Sequence, residues 1–170
     1  MAIDRRELWR EYESWEGAVP SSITVDPLWK MIVYRKALFL SDSAWNDCSK
    51  MYKDKRTVSL ADQLYRAIGS ISANIAEGYS RGTGRDRARF FEYALGSARE
   101  GRDWYFKARH TLGYELAQHR SEQLAEVISM LVALIPRQRT NGISEEPAIY
   151  KMEGDGEEKV EGEEKVERIA

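Results

Sequence analysis

Apolar residues recur along this chain at intervals of three and four, the spacing that lines one face of an α-helix. The first sustained run holds Trp29, Ile32, Val33, Ala37, Leu38, Leu40 and Trp45. It opens at Asp26-Pro27, where the aspartate can accept from first-turn amides and proline at the first helical position loses no hydrogen bond. This predicts a helix to about Lys50. Its apolar residues occupy more than one face, so it needs more than one neighbour. A second run, Leu60, Leu64, Ala67, Ile68, Ile71 and Ile75, is introduced by Ser59 and Asp62 in the manner of a capping box. Gly78 can close it by taking the left-handed conformation. Thr83 and Asp86 repeat the capping pattern ahead of a third run, Phe91, Ala94, Leu95, Ala98, Tyr105, Ala108 and Leu112, which Gly113 can end. Ser121 opens the fourth, through Leu124, Val127, Ile128, Leu131, Leu134 and Ile135, with Pro136 as its stop.

No alternating pattern of useful length suggests a strand. Four helices with short connections predict an all-α fold, an antiparallel up-down-up-down four-helix bundle over residues 26–143. Residues 1–25 read as an extension, with Leu8, Tyr12 and Trp15 at the spacing of a short amphipathic helix before Gly17 and Pro20 break it. Over residues 144–170 apolar content collapses, and the near-repeat of Gly-Glu-Glu-Lys-Val-Glu cannot offset the entropy of ordering. This tail is expected to be disordered.

Charge sharpens the division. The net charge of −2 conceals 10 acidic against 4 basic residues in 145–170, and 22 basic against 18 acidic in 1–144. The body is mildly basic and the tail acidic. At 170 residues the chain suits one domain with a real core. Its apolar runs are too short to span a bilayer, so no membrane association is expected. The charged start, with Asp4, Arg5, Arg6, Glu7 and Arg10, does not read as an export signal, and the single Cys48 can form no internal disulfide. A cytoplasmic location is expected.

Candidate chemistry is sparse. His110, His119 and Cys48 show no paired metal-ligand spacing, so neither metal nor cofactor is expected. Glu92 and Glu100 are about two helical turns apart but lack the Glu-x-x-His partner of a di-iron bundle, and ion pairing suits them better. Arg81-Gly82-Thr83-Gly84-Arg85 lacks the spacing and the Lys-Ser/Thr of a phosphate loop, which favours a tight connection. Carboxylates with no nucleophile, metal or histidine beside them make a weak active site, so no catalytic residue is assigned and the chain reads as a non-enzyme.

Two polar constellations stand out. Arg81, Arg85, Arg87, Arg89, Arg99 and Arg102, with Lys107 and Arg109 beyond, outnumber nearby acids by about two to one. Amides at the start of the third helix would add to an anion site. These six arginines are candidate phosphate contacts for RNA or DNA, against the plainer alternative of a solvated charged face. Arg66, Asn74, Glu77, Ser97 and Glu100 lie on or beside the packed faces of the second and third helices. They are candidates for a buried polar network that fixes register.

Two segments carry a resemblance. Ser70-Ile71-Ser72-Ala73-Asn74-Ile75-Ala76-Glu77-Gly78-Tyr79-Ser80-Arg81 and Phe90-Phe91-Glu92-Tyr93-Ala94-Leu95-Gly96-Ser97-Ala98-Arg99-Glu100 resemble the four-helix-bundle family of the intervening-sequence proteins of large-subunit ribosomal RNA genes. That family also includes the accessory variability proteins of diversity-generating retroelements. The resemblance covers about residues 28–135 and is strongest over 64–100. It implies a left-handed antiparallel bundle that assembles as a homopentamer, a scaffold that is not an enzyme. In the retroelement branch it implies a basic surface that binds nucleic acid and a reverse transcriptase. Residues 1–25 and the acidic tail fall outside the pattern, and this body is less basic than the retroelement proteins tend to be. Two functions follow: an oligomeric scaffold that binds nucleic acid or a nucleic-acid enzyme, or a protein-binding adaptor without nucleic-acid contact. In either, the tail would act as a solubilising segment or as an internal competitor for the basic surface.

Overall fold

The computed structural model describes residues 5–140, and the expectation for the acidic tail lies outside the described residues. Three short helices, α1 (Arg5–Leu8), α2 (Tyr12–Ala18) and α3 (Ser21–Thr24), and a 3-10 turn (Pro27–Lys30) precede four long helices. These are α4 (Ile32–Met51), α5 (Val58–Tyr79), α6 (Gly84–Leu112) and α7 (Tyr114–Thr140). Each long helix packs against the next and α4 also meets α7, which closes an antiparallel four-helix bundle. The predicted stripes form its core: Leu64, Ile68, Ile71 and Ile75 of α5, Phe91, Ala94, Ala98 and Tyr105 of α6, and Leu124, Val127 and Leu131 of α7 are fully buried. Each large apolar side chain so placed is worth about 1.5–3 kcal/mol.

Several helix ends depart from the sequence reading. Asp26 caps as expected, accepting from the Leu28 amide at 2.8 Å, but what it caps is the 3-10 turn. Met31 is extended, and α4 begins only at Ile32. Thr57, not Ser59, precedes α5, and Asp62 accepts from the Tyr52 hydroxyl at 2.6 Å instead of closing a capping box. Gly78 stays helical. A Cβ there would lie 2.9 Å from both Phe90 Cβ and Phe91 Cε1, so its lack of a side chain lets α5 and α6 meet closely. Thr83 does cap α6, accepting from the Asp86 amide at 3.1 Å, and Gly113 ends it at φ 88°. α7 begins at Tyr114, well before Ser121, and runs through Pro136 to Thr140. Pro136 is exposed, where a bend or a missing hydrogen bond is tolerated on the solvent side.

The described part of the extension is packed. Leu8, Trp9 and Tyr12 are buried, and Tyr12 meets Phe39 of α4 edge to face at 5.7 Å. Trp9 Nε1 donates to Glu126 of α7 at 2.7 Å, and Lys36 of α4 donates to the same carboxylate at 2.7 Å while lying 4.1 Å from the Trp9 ring. Gln123 Nε2 donates to the Leu8 carbonyl at 2.9 Å. The extension thus lies across the α4–α7 seam. Among the described residues no helix is long and apolar enough to cross a membrane.

Candidate nucleic-acid interface

The candidate polar network does not form as drawn. Arg66, Glu77 and Glu100 are exposed on the outer edges of α5 and α6. Glu77 pairs with Arg81, and Glu100 accepts from Trp104 Nε1 at 3.1 Å, both within one stretch of chain. Asn74 is half-buried and donates to the Ser70 carbonyl of its own helix at 2.8 Å. Only Ser97 bonds across helices, at 2.8 Å from the Ser70 hydroxyl. The buried network lies at the other end of the bundle. Asp47 Oδ2 accepts from Arg120 Nε at 2.9 Å and from the Tyr105 hydroxyl at 3.0 Å, and Arg120 donates on to Gln123 Oε1 at 3.0 Å. Asp47, Arg120 and Gln123 are all buried. The available signal was a charged residue in phase with an apolar stripe: Asp47 follows Ala37, Leu40 and Ala44 at helical spacing.

The six candidate arginines separate into different environments. Arg87 is only 6 % exposed, and its Nη2 donates to the carbonyls of Tyr79 at 2.9 Å and Arg81 at 3.3 Å. It therefore closes the C-terminus of α5 and is withdrawn from any phosphate surface. Arg81 is exposed, paired with Glu77 and laid over the Phe90 ring. The start of α6 is also less open than expected. Asp86 occupies its first turn and is engaged by Thr83, which puts a carboxylate where an anion would sit. Arg85 and Arg89 remain exposed around a cavity of about 510 Å³ that Asp86, Glu92 and Arg139 also line. Arg139 is paired with Glu92. The sequence reading missed Arg139 because only the fold brings the end of α7 beside the start of α6.

Arg99 and Arg102 lie further along α6, exposed. They share a face with Phe106 and Arg109, since steps of three, four and three keep residues in line on a helix. Phe106 is 57 % exposed, and the Arg109 guanidinium lies 4.1 Å from its ring centre. Beside this lane runs a second one in which charges are already matched, with Lys107 bonded to Asp103 and Trp104 to Glu100. Phe106 adjoins Tyr105 of the predicted stripe but is not part of it, and spacing alone does not show whether a neighbouring helix covers such a ring.

An exposed aromatic patch lies elsewhere, between α4 and α5. Trp45, 62 % exposed, meets Tyr65 at 5.9 Å between ring centres. A cavity of about 680 Å³ there is lined by Trp15, Ile23, Leu38, Trp45 and Tyr65 among others. His110 is exposed. His119 is half-buried, with its pKa lowered first by burial and then by Arg120. Cys48 is buried, and burial foremost, with Asp47 and Asp62 adding to it, pushes its thiol up to about 12. A thiol so protonated is a poor nucleophile. Among the described residues no group of three or more His, Cys, Asp and Glu side chains is placed to hold a metal ion.

Comparison with known proteins places the bundle. No functionally curated protein matches the chain. Among solved structures, a protein of unknown function from the S23 ribosomal protein family of Bacteroides thetaiotaomicron is similar at a TM-score of 0.58 and 22% sequence identity. The match covers 61% of this chain and 98% of that one, and at this identity it speaks for the fold alone. The model of the 23S rRNA-intervening sequence protein family matches residues 29–133, the bundle without its extension and tail. The chain belongs to that family.

Proposed function

We propose that this protein is a non-enzymatic oligomeric scaffold that binds nucleic acid, or a nucleic-acid enzyme such as the reverse transcriptase served by the retroelement proteins it resembles. The observation that carries this reading is the row of exposed arginines, Arg85, Arg89, Arg99 and Arg102, along α6. Phosphate contacts of this kind supply affinity without sequence preference. One subunit offers few of them, so useful affinity calls for several subunits on one strand. The exposed aromatic patch around Trp45 and Tyr65 suits a subunit contact, since apolar surface of this kind usually marks an interface. A closed ring, a pentamer in the reading from resemblance, would bury the same patch on every copy. The acidic tail then acts as an internal competitor, about six negative charges tethered to a basic body.

A protein-binding adaptor is the second reading. It is favoured by the same aromatic patch and by the pairing of Arg81 and Arg139 with carboxylates. Titration of the full-length protein with RNA and with DNA at two salt concentrations, alongside light scattering, separates the two. The scaffold reading expects binding that weakens steeply with salt, a loss with Arg85→Glu plus Arg89→Glu, tighter binding after the tail is removed, and an oligomer mass. No binding to either nucleic acid at low salt gives the adaptor reading the field, and a monomer mass at micromolar concentration overturns the ring.

A further inference from the structure

The nucleic-acid reading leaves open which form of nucleic acid the protein takes, and the α6 surface bears on that. Arg99, Arg102, Phe106 and Arg109 occupy one face over a rise of about 15 Å. Arg99 and Arg102 are exposed and have no ion-pair partner among the described residues. Phe106, set between Arg102 and Arg109, presents more than half of its surface to solvent although a phenyl ring is costly to leave there. Arg109 lies over the ring and donates Nη1 to the Phe106 carbonyl at 2.7 Å, which fixes a planar guanidinium beside a planar ring. Tyr114, 67 % exposed, follows at the same end of the bundle, just past Gly113. The acids on this stretch of α6 are occupied, Asp103 by Lys107 and Glu100 by Trp104, while Glu115 stands exposed beyond Tyr114. Glu122 of α7 accepts from Gln118.

Cations alone would suit any phosphate backbone. An exposed ring among them adds a preference, because bases stacked inside a duplex offer no face to a side chain, whereas unpaired bases do. Guanidinium planes stack on bases in the same way. The arginines at the start of α6 also have rings beside them, Arg81 and Arg89 over Phe90 with the exposed Tyr93 edge-on to it, but Arg81 is paired with Glu77, and Arg85 and Arg89 share their cavity with Asp86 and Glu92.

We propose that the Arg99–Arg102–Phe106–Arg109 face of α6 is a seat for single-stranded nucleic acid, with an unpaired base stacked on Phe106 and flanking phosphates held by Arg99 and Arg102. This rests on the nucleic-acid reading above and specifies the strand. The test is fluorescence anisotropy of the full-length protein at low salt with labelled oligo-uridine RNA, oligo-thymidine DNA, and a duplex of the same length. Stacking on an aromatic is worth about 1–3 kcal/mol per base, so Phe106→Ala should weaken single-strand binding by about 5-fold or more and leave duplex binding unchanged. Phe106→Trp should retain it, and Arg99→Glu with Arg102→Glu should abolish it. Comparison of the RNA and DNA arms identifies which strand chemistry is preferred, and a Phe106-dependent signal from either supports the seat. If Arg85→Glu with Arg89→Glu removes binding while Phe106→Ala does not, the seat is wrong and the scaffold reading stands. If the unaltered protein binds none of the three probes, the scaffold reading itself fails. Phe106→Ala is at an exposed position and should fold, and a drop in its solution mass would make this face a subunit contact and overturn the seat.

Discussion

Arg87 and Arg120 are buried to nearly the same degree at opposite ends of the bundle, yet their charges are handled in different ways. Arg120 faces a carboxylate, and the Tyr105 hydroxyl and Gln123 complete the arrangement. Arg87 faces the carbonyls of Tyr79 and Arg81, where the dipole of α5 ends in partial negative charge, and its ring neighbour is Tyr79 at 5.2 Å. Its buried Nε has no hydrogen-bond partner among the described residues. A full charge opposite Arg120 makes each half of the pair dependent on the other. Carbonyls opposite Arg87 are spare acceptors that exist with or without the arginine. The difference separates a long-range tie between α4, α6 and α7 from a local closure of the α5–α6 turn.

The most severe break in this comparison is Asp47→Asn. It leaves Arg120 as a buried charge without its counterion, and a loss of about 3–5 kcal/mol in urea unfolding is expected. Arg120→Met added to Asp47→Leu should recover part of that loss, since no buried charge is left unpaired, although the Tyr105 hydroxyl and Gln123 Oε1 lose their partners. A cost below about 1 kcal/mol for Asp47→Asn would show the pair to be incidental. Next comes Arg87→Met, expected to cost about 1–2 kcal/mol through carbonyls that lose a donor and a helix end that loses its cation. Because Arg87 is withdrawn from the surface, nucleic-acid affinity should follow stability alone. A specific loss of affinity in a fully folded Arg87→Met would return this residue to the binding surface.

The smallest effect is a pH dependence confined to the Asp47 end. Burial raises the Cys48 thiol from the ordinary 9.0 to about 12, and raises the Tyr105 hydroxyl well above its usual value. A raised value means that the folded state favours the neutral form. The associated stability is complete below about pH 9 and declines as pH climbs toward 12. By pH 10 the Cys48 share is on the order of 1 kcal/mol, one unit of separation being worth about 1.4 kcal/mol. Melting curves at pH 8 and pH 10 should show Cys48→Ala flattening the decline and Arg87→Met leaving its slope unchanged. An identical slope in Cys48→Ala would remove the thiol from this account.

What the sequence made legible was local. Apolar stripes, the Thr83 cap and Gly113 all act within one helix or one turn, so spacing alone suffices for them. Asp47 and Arg120 stand 73 positions apart, and no periodicity announces which charged residue in a stripe meets which. Gly78 was misread for a different reason: a glycine at a helix end serves either a left-handed turn or a close approach, and only the neighbouring Phe90 and Phe91 decide. A count of arginines likewise could not separate Arg87 from Arg85 and Arg89, because the carbonyls that claim it become neighbours only once α5 stops. Phe106 lies outside the predicted stripe of α6, and only the placed helix shows its ring left largely open to solvent.

The seating of Trp9 has a consequence for how the chain is made. Its partner Glu126 lies 117 positions later, and Gln123, which holds the Leu8 carbonyl, is nearly as distant. On the ribosome, Tyr12 and Trp15 can settle on Phe39 as soon as α4 has emerged. The Trp9 ring can join them on Phe39 and Lys36, but its N–H bond to Glu126 and the Gln123 bond to the Leu8 carbonyl must wait until most of α7 has been synthesised, some seconds later at about 5–20 residues per second. Through that interval the extension is held on one side of its seam only, and α7 completes the other.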